Sequence, residues 1–144
     1  MNLLLDTHIA LWALADSTRL PHPVAVRLLS RDSRVFVSLI SVWEVAIKHS
    51  IVRPDGQRRL NIGPSELLLG IREAGFALLA LAPAHCEQVD LLPYRVNPRT
   101  GQPHADPFDR MLVAQAMAEP MHLITADKPL ALYATDAPGL IETI

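Results

Sequence analysis

Apolar residues along this chain fall into two kinds of segment, short unbroken runs and longer stretches with helical spacing. Leu3-Leu4-Leu5 is the first run, and it stops at Asp6-Thr7-His8. A helical pattern follows over Thr7–Ala15, carried by Ile9, Leu11, Trp12, Leu14 and Ala15. Pro21 and Pro23 close that stretch and open a second helix around Val24–Arg31. Val35-Phe36-Val37 reads as a strand, being β-branched and aromatic. Ser41 then begins a helix with Val42, Val45, Ala46 and Ile47 on its apolar face, and Arg53-Pro54-Asp55-Gly56 is turn chemistry. Ser65–Gly75 is a further helix striped by Leu67, Leu68 and Ile71. Phe76–Leu81 reads as a strand and Ala84–Leu92 as a short helix. Pro93, Pro98, Gly101 and Pro103 make Pro93–Ala105 a loop. A loop of that length in a compact domain is more often functional or mobile than incidental. Pro107–Glu119 is a helix with proline in its first turn, Met121–Thr125 a strand, and Leu140–Ile144 an edge strand.

Strands thus alternate with helices, and the strands are unbroken apolar runs rather than polar–apolar alternations. That pattern predicts an α/β fold whose parallel sheet is covered on both faces. No repeat, low-complexity tract or linker divides the 144 residues, so one domain over 1–144 is expected. Composition adds limits. Half the residues are apolar and mean hydropathy is +0.22. Even so, no stretch approaches the roughly 18 uninterrupted apolar residues of a membrane span. The N-terminus meets an acid at once and has no basic segment, unlike a signal peptide. A single cysteine, Cys86, excludes an internal disulfide and a multi-cysteine zinc site, and it reads as an inert core thiol. These features predict a cytoplasmic protein that does not associate with membrane. The surplus of Leu, Ala, Val and Ile could also cover a partner surface. A net charge of −2 does not mark a general nucleic-acid coat. Divalent cations bound at an acidic site would reverse the local field, so the total decides little.

The acids are placed with more order than the composition suggests. In open parallel sheets, ligands bind outside the carboxyl ends of the strands. Asp6 directly follows the first strand, and Asp127 follows the Met121–Thr125 strand by one residue. Glu44 falls in the first turn of the helix after the second strand, and Asp109 in the first turn of the helix after the long loop. Four carboxylates at one end of a sheet repel one another and need a counter-ion. Mg²⁺ or Mn²⁺, which prefer carboxylate and water oxygens, answer that need. Each acid also has a local reading. Asp6 can cap the Thr7–Ala15 helix, Ser41 and Glu44 can form a capping box, and Asp106-Pro107-Phe108-Asp109 looks like a helix N-terminus. Asp127 can be a turn residue before Lys128-Pro129. The joint placement, not any single position, points to a divalent-metal site.

Four segments carry a resemblance. They are Leu4-Leu5-Asp6-Thr7-His8, Ser41-Val42-Trp43-Glu44-Val45-Ala46-Ile47-Lys48, Asp106-Pro107-Phe108-Asp109-Arg110-Met111-Leu112-Val113-Ala114-Gln115-Ala116 and Leu123-Ile124-Thr125-Ala126-Asp127. In this order and spacing the chain resembles the PIN-domain family, and within it the VapC-like toxins of bacterial toxin–antitoxin pairs. The resemblance covers essentially the whole chain. It implies a three-layer α/β/α sandwich and an endoribonuclease that uses Mg²⁺ or Mn²⁺. It also implies a cognate antitoxin that inhibits the enzyme, and a homodimer. It places the metal-site acids on Asp6, Glu44, Asp109 and Asp127, and it favours Asp109 over Asp106, which remains a supporting residue or a helix cap. One departure is the extended Tyr94–Pro103 segment, which separates Leu92-Pro93 from His104 where this subgroup has a short link.

The expected reaction is hydrolysis of an RNA phosphodiester, with one or two cations held by Asp6 and Asp109 and the shell completed by Glu44 and Asp127. A water acidified by the cation would attack, and a carboxylate such as Glu44 could take its proton. Thr7 could contact phosphate from a helix start. Arg110 could bind phosphate or form a salt bridge, and Lys48 could pair with Glu44 or reach phosphate. Arg95 and Arg99 in the loop, and Arg53, Arg58 and Arg59, could follow an RNA backbone. His8 and His104 are candidates for polar support, and Trp12 and Trp43 read as core or interface. Other readings are a receiver-like regulatory domain that binds Mg²⁺, a phosphatase with an aspartyl nucleophile, and a catalytically silent PIN module. The phosphatase lacks its second Asp two positions after Asp6.

Overall fold

The computed structural model describes residues 1–144. Five parallel strands form one sheet in the order β3-β2-β1-β4-β5. They are β1 (Asn2–Leu5), β2 (Arg34–Ser38), β3 (Ala77–Leu79), β4 (His122–Thr125) and β5 (Ile141–Thr143). Six α-helices connect them: α1 (Thr7–Ala15), α2 (His22–Leu29), α3 (Leu39–Ser50), α4 (Pro64–Glu73), α5 (Pro83–Leu91) and α6 (Pro107–Ala118). Two 3₁₀ turns, Ser17–Arg19 and Lys128–Tyr133, complete the chain.

Side chains alternate along each strand, yet both faces are apolar because helices cover both. Leu3, Leu5, Val35, Val37 and Ile124 pack into one layer with Ile9 of α1, Val24 of α2, Val45 of α3 and Leu67 of α4. Leu4, Phe36 and Leu123 face the other way, onto Leu112, Val113 and Ala116 of α6 and onto Leu130 and Tyr133. This is the expected three-layer α/β/α arrangement, and it explains why the strand runs carry no polar alternation. No helix is long and apolar enough to cross a membrane.

Strand register sets the site. Leu5 pairs with Val37 on one side and Ile124 on the other, so β1, β2 and β4 end at one level, at Asp6, Ser38 and Thr125. β2 and β3 lie on one side of β1, and β4 and β5 on the other. Strand order therefore reverses beside β1, the position where open α/β sheets leave a crevice.

Several boundaries differ from expectation. α3 begins at Leu39, because the Ser38 hydroxyl accepts from Ile40 N at 3.0 Å and caps the helix there. The Ser41–Glu44 capping box is therefore absent, and Glu44 lies in the second turn. α2 starts at His22, with Pro23 in its first turn, and ends at Leu29. Cys86 is exposed, not a core thiol, because α5 lies at the surface against α6. The 93–105 segment is a hairpin rather than an open loop. Val96 and Pro103 form an antiparallel bridge, Asn97 N donates to Gln102 O at 2.9 Å, and His104 N donates to Arg95 O at 2.7 Å. Gly101, at φ 68°, supplies the left-handed residue that the tip requires.

Candidate functional site

Asp6 is almost fully buried where β1 meets α1. Its Oδ1 accepts from Ile9 N at 2.7 Å and caps α1. Its Oδ2 accepts from the Thr125 hydroxyl and from Ala126 N at 3.2 Å. Burial pushes this carboxyl above its usual range, and the bonds from Ile9 and Thr125 and the charge of His8 pull against that rise. The helix-cap reading of Asp6 is thus correct as far as it goes, and the same side chain ties β1 to the end of β4.

Glu44 is also buried, with both oxygens engaged. Lys48 Nζ donates to Oε1 at 2.6 Å, so Lys48 takes the pairing role one turn away. The Thr7 hydroxyl donates to Oε2 and lies 3.1 Å from the Ser41 hydroxyl. Thr7 therefore bridges α1 to α3 and fixes the direction of Glu44.

Asp109 sits in the first turn of α6, a turn built by Asp106. The Asp106 carboxylate accepts from Phe108 N at 2.9 Å and Asp109 N at 3.0 Å, so Asp106 is the N-cap. Asp106→Ala is expected to lower stability by about 1 kcal/mol, read from the urea midpoint. Burial pushes the Asp109 carboxyl up to about 8, helped by the charges of Asp106, Asp127 and Glu44 and by a close hydrogen-bonding approach of Asp127. Asp109 is therefore the group on which the negative charge of this end of the sheet converges.

Around the acids, Arg110 takes neither role foreseen for it. It is 5% exposed and bonds no carboxylate. Its guanidinium donates to Leu92 O at 2.7 Å, Pro93 O at 3.0 Å and the Tyr133 hydroxyl at 3.1 Å, with the Tyr94 ring 3.9 Å away. It clamps the foot of the hairpin. Arg95 pairs with Asp136 at 2.5 and 2.9 Å while its side chain stays 40% exposed. Arg58 bonds His49 O at 2.8 Å. Lys48, Arg53 and Arg59 line a cleft of about 220 Å³ with Thr7 and His8, beside Glu44. Arg99 lines a second, of about 190 Å³, with Lys128, the residue after Asp127. Trp43 is well exposed, not core, and meets Phe108 edge to face at 5.3 Å.

Comparison with known proteins then decides the family. The PIN domain family model matches residues 3–135. The chain belongs to the PIN-domain family. Its fold is similar to VapBC2 from Rickettsia felis bound to a DNA fragment from their promoter, at 18% identity and TM-score 0.65, over 100% of this chain and 99% of that one. VapBC-1 from nontypeable Haemophilus influenzae matches at 18% identity and TM-score 0.63, over 99% and 98%. VapBC-5 from Mycobacterium tuberculosis, a member of the VapBC family of toxin–antitoxin systems, matches at 17% identity and TM-score 0.54, over 99% and 97%. No curated protein matches the chain in sequence.

The donor chemistry of this PIN chain fits a hard divalent cation. Its acidic groups are carboxylates, and Asp109 is raised first by burial and then by its acidic neighbours, a cost that a cation would offset. No three acidic or imidazole side chains stand in direct-ligation geometry. Mg²⁺ needs only one or two carboxylates and keeps several waters, so the fit does not require three. Two supporting groups escaped the sequence reading. Thr125, a polar residue ending an apolar strand level with Asp6, was legible from register alone. Tyr133 had no such signal, because it reaches the site from a 3₁₀ turn in the other layer.

Proposed function

We propose that this PIN-domain protein is a divalent-metal-dependent endoribonuclease and the toxin of a type II toxin–antitoxin pair. The observation that carries the reading is the placement of carboxylates at the carboxyl ends of the central strands, with Asp6 after β1, Glu44 on α3 after β2, Asp109 at the start of α6 and Asp127 after β4. Asp6 and Asp109 would hold Mg²⁺ or Mn²⁺, with Glu44 and Asp127 completing or orienting the set. When bound, the cation supplies positive charge for a phosphodiester and acidifies water for its hydrolysis, to a 5′-phosphate and a 3′-hydroxyl. The chain's own part is positioning. Thr7 and Lys48 direct Glu44, and Thr125 and Ala126 direct Asp6. The cleft with Arg53 and Arg59 and the cleft with Arg99 and Lys128 would offer cations to RNA phosphates.

Support for an antitoxin partner comes from the VapBC neighbours. A cleft of about 310 Å³ between α1 and α4, lined by Leu11, Leu14, Leu67 and Leu69, suits an amphipathic helix of such a partner. A homodimer belongs to the same reading, as does a cytoplasmic location. A catalytically silent PIN module is favoured by one observation, the lack of three acids in direct-ligation geometry. One experiment separates the two. A panel of defined RNAs is incubated with the protein plus Mn²⁺, with and without excess EDTA. Cleavage that EDTA abolishes is expected. Cleavage that survives chelation would sink the metal mechanism, and intact RNA in every lane would leave the silent module.

A further inference from the structure

We propose that His104 is a positioning residue for Asp109, holding one carboxylate oxygen so that the other is presented to the divalent cation. The proposal rests on the metal-site reading above. His104 closes the hairpin, and its Nε2 lies 3.2 Å from Asp109 Oδ2. Its Nδ1 lies 2.9 Å from the Tyr133 hydroxyl, which accepts from Arg110 Nη1 at 3.1 Å. These three contacts form one chain from Arg110 through Tyr133 and His104 to Asp109.

The hydrogens along that chain have one consistent arrangement when Asp109 is ionised. A carboxylate only accepts, so Nε2 must carry the hydrogen. A neutral imidazole then leaves Nδ1 as an acceptor. Tyr133 has one hydroxyl hydrogen, and Nδ1 at 2.9 Å is nearer than the competing His104 carbonyl at 3.2 Å. Arg110 donates and cannot accept, so the Tyr133 oxygen takes its bond from Arg110 and turns its own hydrogen toward His104. A guanidinium with no carboxylate partner thus supports, from two hydrogen bonds away, the tautomer that Asp109 requires. Tyr133 is fully buried and the His104 side chain is 10% exposed, so neither swings aside freely. The hairpin holds His104 in turn through its backbone bond to Arg95 O, and the Arg95 side chain pairs with Asp136. Groups that hydrogen-bond a metal ligand orient it, and their loss typically weakens metal binding about 10–100-fold.

The test titrates Mn²⁺ into the full chain by calorimetry. His104→Leu is expected to weaken binding about tenfold or more. In His104→Gln, the side-chain amide can donate from near the imidazole Nε2 position, and it is expected to recover most of the affinity. A purely structural role would move both variants alike. Histidine ¹⁵N spectra of the Mg²⁺-loaded wild type give a second readout, with the Nε2–H tautomer expected at His104. These spectra, together with His104→Gln, carry the test if His104→Leu does not fold. Overturning results are an Nδ1–H tautomer in the wild type, or His104→Leu binding as tightly as wild type. If Asp109→Asn loses Mn²⁺ while His104→Leu keeps it, the positioning role fails and the metal site stands. A wild type that binds no Mn²⁺ removes both.

Discussion

Asp109→Asn is expected to cut Mn²⁺-dependent RNA cleavage at least about a hundredfold while making the metal-free protein more stable at pH 8. The two outcomes have one cause. Asn keeps the size and the acceptor oxygen facing His104 but removes the charge on which Asp106, Asp127 and Glu44 converge. In the folded chain the Asp109 carboxyl rises to about 8, far above its value in the unfolded chain. The folded state therefore binds this proton more tightly. The stability that Asp109 contributes is full below its unfolded value near 4 and is lost as pH rises toward 8. Thermal melts of EDTA-treated wild type should give a midpoint that falls across this window, and Asp109→Asn should flatten the fall. Added Mg²⁺ should restore the wild type at high pH and leave the variant unchanged. A wild-type midpoint that does not move with pH would remove the crowded-acid argument even if the variant were inactive.

Arg110→Met is expected to lower stability by about 3 kcal/mol. Met approximates the buried stem but cannot donate to Leu92 O, Pro93 O or the Tyr133 hydroxyl, and it gives up the Tyr94 ring. Hydrogen bonds from a charged donor are each worth roughly 1.5–3 kcal/mol, and relief of the buried guanidinium's desolvation offsets part of the loss. A urea midpoint lower by about 1–2 M reads the effect. Arg110→Lys should rescue little, since one ammonium cannot span two successive carbonyls and a phenol as a planar fork does. Full rescue by Lys would show that charge, not fork geometry, holds the hairpin foot.

The sheet was legible in the chain because burial on both faces leaves runs such as Leu3–Leu5 and Val35–Val37 unbroken. The placement of the acids was legible in part, since Asp6 and Asp127 follow strands and Asp109 opens a helix, while Glu44 lies one turn further into α3 than expected. The start of α3 was not legible. Ser38 and Ser41 both offer a cap, and the choice depends on how far β2 pairs with its neighbours, which no local pattern contains. Arg110 was misread for another reason. Its main partners are backbone carbonyls, which any residue supplies, so no complementary side chain announces them. The hairpin at 93–105 hid behind its prolines, since an isolated bridge at Val96–Pro103 leaves no strand-length run.

β1 and β4 are neighbours in the sheet, yet the Asp6–Thr125 bond joins residues 119 apart. This has a consequence during synthesis on the ribosome. A nascent chain can pair β1 with β2 once β2 has emerged, and can then begin to fold around part of the sheet. That intermediate has Asp6 and Glu44, gains Asp109 only with α6, and gains Asp127 only after β4. If all four acids are required, a product truncated before β4 lacks the complete proposed site.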